Sequence, residues 1–162
     1  MFRSPERLGA SRKWVTPVKR LNAILLSTVL AMSVPVLPAT AASSVRVSGQ
    51  VTCLNSSVQG VWIQGKTSKS GWASWSQPRV IGGLSKADYS FTLNKGGEYQ
   101  VHVGCGGTPK KWAVNAKSSY VKGTKNNFKC NDIHPALAAA GKILRWKVDL
   151  TQGVAYKTCK KI

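Results

Sequence analysis

Acid-base chemistry in this sequence would have to come from few groups: two histidines, His102 and His134, and five carboxylates, Glu6, Asp88, Glu98, Asp132 and Asp149. Glu98, Gln100 and His102 are spaced by two, so a strand puts them on one face while Tyr99, Val101 and Val103 point the other way. A Glu/His pair is the acid-base equipment of a small secreted ribonuclease. At about 3.3 Å per residue, however, Glu98 and His102 would stand about 13 Å apart, and the outward face of an antiparallel sheet is normally polar. His134 falls in the first turn of a short helix candidate and reads as a surface residue. No Gly-x-Ser-x-Gly setting and no phosphate-binding glycine loop is present. No catalytic residue is therefore assigned, and an enzyme is not expected.

Binding chemistry is better provided. Lys66, Lys69, Trp72 and Trp75 gather around one glycine-bearing loop, and Lys110, Lys111 and Trp112 follow the Gly106-Gly107-Thr108-Pro109 turn. Aromatic rings beside cations on loops stack on sugars or bases while the lysines take phosphates or carboxylates. For Trp72 and Trp112 the favoured account is instead bulk that fills a core, because tryptophan is highly buried on average. Trp62 and Trp146 lie inside strand-like runs, where the core is the default.

These residues sit in a chain with an export signature. Residues 1–41 carry a basic stretch (Arg3, Arg7, Arg12, Lys13, Lys19, Arg20), an apolar run from Leu21 to Leu37, and the series Ala39-Thr40-Ala41-Ala42. That is the layout of a signal peptide, cleaved after Ala41, which leaves a single domain over 42–162. The run is too short, and too broken by Pro35 and Pro38, for a spanning helix of about 20 apolar residues. The net charge of +19 over 162 residues falls to +14 once six basic residues and one acidic residue leave with that segment. Such charge favours anionic partners, or serves solubility alone.

Cys53, Cys105, Cys130 and Cys159 all follow the signal, and an even count in an exported chain reads as disulfides. Four cysteines allow three pairings. Cys53 with Cys105 and Cys130 with Cys159 is the favoured one, since it staples each half separately. Each closed loop would stabilise by about 3 to 4 kcal/mol in the chain-entropy model. A metal site is not expected, because no pair has close ligand spacing.

From residue 45 the pattern has period two: Val45, Val47, Gly49 and Val51 alternate with Arg46, Ser48 and Gln50. Residues 58–64 form a second β-rich run, and 65–71 a loop. Tyr89, Phe91 and Leu93, the turn at 94–97, and then Tyr99, Val101 and Val103 read as a hairpin. Short strands are expected at 111–114 and 119–121. A short helix near 132–140 would be capped by Asp132 and ended by Gly141, and two β runs at 143–150 and 154–158 would close the chain. Short strands with regularly spaced turns predict an all-β sandwich.

The order of Val47-Ser48-Gly49-Gln50-Val51, Gly60-Val61-Trp62-Ile63, Tyr89-Ser90-Phe91-Thr92-Leu93 and Gly97-Glu98-Tyr99-Gln100-Val101 resembles the carboxypeptidase-regulatory-like, or prealbumin-like, β-sandwich domains. The resemblance covers about half of the expected mature chain. It implies an immunoglobulin-like or prealbumin-like sandwich acting as a spacer or adhesive module; the four cysteines and the part after Cys130 depart from it. The chain is also similar to small secreted proteins of Gram-positive filamentous bacteria. Together these features predict a secreted, monomeric, non-catalytic module without cofactor, docking on an anionic cell-surface polymer or glycan. An acidic protein or nucleic acid is a further partner class. An antimicrobial or inhibitory protein, and a hydrolase or nuclease using His102, are the competing expectations.

Overall fold

A computed structural model describes residues 43–162; the expected signal segment lies outside the described residues. The period-two run becomes β1 (Val45–Cys53), whose inward Val47 and Val51 are buried while Arg46, Ser48 and Gln50 face out. β1 pairs along its length with β6 (Leu84–Leu93), from Val45 opposite Leu93 to Cys53 opposite Ser85. The other edge of β1 takes β9 (Phe128–Cys130) in parallel, and β9 in turn takes β10 (Cys159–Lys161). β4 (Ser74–Trp75) and β5 (Arg79–Ile81) both line the far edge of β6. The second sheet runs β3-β2-β7-β8: Gly71–Trp72, Val58–Gly65, Tyr99–Thr108 and Lys111–Lys117.

The two sheets close on Val47, Val51, Val61, Ile63, Tyr89, Leu93, Val101, Val103 and Phe128 in a sandwich-like, mostly β fold. Cys53–Cys105 joins β1 of one sheet to β7 of the other, and Cys130–Cys159 joins β9 to β10. Inside the core Tyr89 Oη donates to the Asn126 carbonyl at 2.9 Å, and Asn126 Nδ2 donates to Tyr99 Oη at 2.7 Å. Burial is the main reason the Tyr89 phenol is held well above its ordinary pKa, with the hydrogen bond to Tyr99 adding to it.

The expected hairpin at 89–103 does not form. β6 and β7 lie in different sheets, and residues 94–97 arch across the core between them. Tyr89 and Tyr99 face one another through the core rather than side by side, with their hydroxyls 3.5 Å apart. Gly96 and Gly97, at φ of 60° and 91°, make the bend. Loop 66–70 fills the arch: Ser68 Oγ donates to the Gly96 carbonyl and accepts from Lys95 N, and Lys69 N donates to Asn94 Oδ1.

Residues 143–150 are not a strand either. The segment between Cys130 and Cys159 holds α1 (Pro135–Ala139) and α2 (Arg145–Asp149), so there are two short helices where one was expected, and 154–158 is irregular. The disulfide, with Asn131 Nδ2 donating to the Val154 carbonyl, returns the chain to its starting point. A helix takes up chain at about 1.5 Å per residue against about 3.3 Å for a strand, which suits so short a return path. Trp146, expected in the core, is 42% exposed. Asp132 does not cap α1. His134 is the N-cap, its Nδ1 accepting from Ala136 N at 3.2 Å. The buried Asp132 carboxylate instead accepts from Asn55 N, Ser56 N and Ser56 Oγ. The expected strand at 119–121 reduces to one bridge, Tyr99 with Val121.

Candidate functional site

Strand parity builds the site. On β2, Val61 and Ile63 enter the core, so Gly60, Trp62 and Gln64 face outward; on β7 the same alternation turns Gln100, His102 and Gly104 out. Register sets Trp62 beside His102 and Gly60 beside Gly104. β8 adds Asn115 opposite Gly104, and Trp112. The edge strand β3 places Trp72 opposite Trp62.

Trp112 reaches over β7 and β2 because both carry glycine beneath it. A Cβ on Gly104 would lie 2.2 Å from the indole Cδ2, and one on Gly60 2.9 Å from Cζ2. The indole therefore rests on bare backbone. Its Nε1 is buried without a hydrogen-bond partner among the described residues. An unpaired buried donor costs about 1–3 kcal/mol, and such departures from the stablest choice gather at functional positions.

Four indoles join on this surface. Trp72 meets Trp62 edge-on at 5.4 Å between ring centroids and Trp112 edge-on at 5.5 Å, and Trp75 reaches Trp72 from β4 at 6.1 Å. Trp72 is 53% and Trp75 37% exposed, and Trp62 and Trp112 are half-buried. The expectation that Trp62 belongs to the core is thus corrected: it lies on the outward side of β2. Neither Trp72 nor Trp112 belongs to the buried cluster. Trp62, Trp72, His102, Trp112 and Asn115 line a hollow of about 340 Å³, and Pro109 and Lys110 border a second of about 510 Å³ with Trp72 and Trp112.

Polar groups continue the surface. His102 Nε2 donates to Gln64 Oε1 at 3.1 Å and Gln100 Oε1 at 3.0 Å, while Gln64 Nε2 donates to Tyr120 Oη at 3.1 Å. Burial lowers the His102 pKa below 6.5, a hydrogen bond with Asn115 works against it, and the Lys117 charge adds to the lowering. Glu98 is occupied elsewhere, 2.6 Å from Lys66 Nζ and 3.9 Å from Lys122 Nζ. Its hydrogen bond to Lys66, then the lysine's charge, hold its carboxyl below the ordinary range.

Of the residues singled out in the sequence, Trp72, Trp75, Trp112 and Lys110 come together. Lys111 is exposed at the start of β8, opposite Thr108. Lys66 and Lys69 belong to the loop that fills the arch; Lys66 Nζ also lies 5.8 Å from the Tyr120 ring centre. Sequence reasoning did not bring Trp62, Gln64, Gln100, His102 and Asn115 to the site. Their outward parity was readable, but which strands neighbour one another was not.

Among the described residues, no group of three or more His, Cys, Asp or Glu side chains is placed to hold a metal ion, and no helix is long and apolar enough to cross a membrane. No family model, no curated protein and no solved structure matches the chain.

Proposed function

We propose that this protein is a secreted, non-catalytic binding module that docks on a glycan of the cell envelope through the tryptophan surface of the β3-β2-β7-β8 sheet. The observation that carries this is the joined set Trp62, Trp72, Trp75 and Trp112, partly exposed beside a row of amides and an imidazole. Sugar rings offer C–H faces to aromatic rings and hydroxyls to amides, so a surface aromatic on one side and amide-rich on the other suits them. An exposed apolar patch rimmed by polar groups is a mark of an interaction surface. The net charge of +14 on residues 42–162 would draw the module to anionic polymers over a longer range, in a salt-sensitive way. The surroundings of His102 support binding rather than turnover, since its Nε2 partners are amides and Glu98 is engaged by lysines.

The test is co-sedimentation of residues 42–162 with isolated cell wall and with neutral insoluble polysaccharides, from about 50 mM to 1 M salt. Binding to at least one neutral glycan should survive 1 M salt, and Trp72→Ala should weaken it about tenfold or more, the scale of an aromatic hot spot. Binding that vanishes with salt and ignores Trp72→Ala, or leakage from anionic liposomes at the same concentrations, would overturn the proposal, the latter in favour of an antimicrobial protein.

A further inference from the structure

The outward face of the other sheet carries a different pattern. Register aligns Arg79 with Lys86, Lys86 with Thr52, Thr52 with Lys129, and Lys129 with Lys160. Directly paired residues share a face, so one line across β5, β6, β1, β9 and β10 bears four cations around a central threonine. At about 4.8 Å between strands the line is about 19 Å long. Lys129 and Lys160 are directly opposed, an arrangement of like charges that destabilises a sheet. Arg79 pairs with Asp88 at 2.6 Å, and Asp88 also accepts from Gln50 Nε2. Lys86, Lys129 and Lys160 form no ion pair among the described residues. Thr52, although it faces outward, is only 5% exposed between the lysines that flank it.

We propose that this line is a second binding site, which holds an acidic polysaccharide laid across the strands with its carboxylates on Lys86, Lys129 and Lys160. An anion there removes the repulsion that the fold leaves uncompensated. The outward positions of β1 (Arg46, Ser48, Gln50, Thr52) and of β6 (Leu84, Lys86, Asp88, Ser90, Thr92) hold no aromatic ring. Bases of a single-stranded nucleic acid would find no ring to stack on along these two strands, the exposed Trp146 lying beyond them against Gly83 in the β5–β6 turn, and stacking is a main contributor to such binding. A periodic line of ammonium groups on strands that bear no ring suits a polymer that carries charge but no bases. The line crosses β5, β6, β1, β9 and β10, whereas Trp62, Trp72 and Trp112 belong to the other sheet, and it does not depend on those rings.

The experiment uses residues 42–162 and polygalacturonate as probe, with an oligothymidylate of matched charge as the second arm. Lys129→Gln/Lys160→Gln should lower polygalacturonate affinity about tenfold or more at low salt and reduce the slope of log affinity against log salt by about two, one for each cation removed. Its thermal midpoint should stay level or rise, since a repulsion has been removed, and this keeps loss of fold distinguishable from loss of site. Lys95→Gln/Lys122→Gln, which removes the same charge at the arch, should change affinity less than threefold, and Trp72→Ala should leave it unchanged. Equal losses from the two lysine pairs would overturn the site. Tighter binding of the oligothymidylate than of polygalacturonate, with the same dependence on Lys129 and Lys160, would overturn the ligand class.

Discussion

Replacing Gly104 with alanine tests the claim that the tryptophan surface is built on bare backbone. The new methyl carbon would sit 2.2, 2.3 and 2.5 Å from Cδ2, Cε2 and Cγ of Trp112. Carbon atoms in ordinary contact stand about 3.5 to 4.0 Å apart, so the indole has to lift by about 1.5 Å. Overpacking of this kind costs about 1–3 kcal/mol. Gly104 has no positive φ, so alanine suits the strand there and should return about 0.5–1 kcal/mol through the unfolded chain. The expected net loss is about 1–2 kcal/mol in urea denaturation followed by far-ultraviolet circular dichroism. The effect should reverse sign once the ring is gone: in a Trp112→Ala background, Gly104→Ala should be neutral or stabilising. A displaced Trp112 also loses its edge contact with Trp72, so the single variant should bind glycan more weakly. If Gly104→Ala costs the same with and without Trp112, the indole does not rest on Gly104 and the account of the surface fails.

Two further outcomes follow from individual side chains. Asp132→Ala leaves Asn55 N, Ser56 N and Ser56 Oγ without their acceptor and should destabilise by about 2–3 kcal/mol in the same denaturation assay, whereas a loss under about 0.5 kcal/mol would refute the clamp. Because burial lowers the His102 pKa in the folded state, the unfolded chain takes up this proton first as pH falls. The stability tied to His102 is therefore complete above about 6.5 and is lost as pH drops towards the folded value. Proton NMR titration should place the imidazole below 6.5, and a midpoint above it would contradict the buried setting.

Much of the molecule was legible in one dimension. Alternation at 45–51 and 99–103 marked strands and their inward faces, because a side-chain period of two survives in any sheet. The even cysteine count indicated disulfides, and separate stapling of the two halves matches Cys53–Cys105 and Cys130–Cys159. Trp72 and Trp112 were favoured as core by their bulk, and the structure leaves both out of the buried cluster. Partner choice was not legible. Tyr89–Leu93 and Tyr99–Val103, with glycines between them, fit a hairpin and an arch equally well, and only burial of Tyr89 against Tyr99 from both sheets selects the arch. The alternation at 143–150 had the form of a strand, yet residues 145–149 coil into α2. Local pattern, turn residues and charge are properties of neighbours along the chain and are carried by the sequence itself. Which strands lie side by side depends on long-range packing. That pairing brought His102, Gln64 and Trp62 into one surface with Trp72 and Trp112, and it set Lys86, Lys129 and Lys160, from three separate strands, in one line.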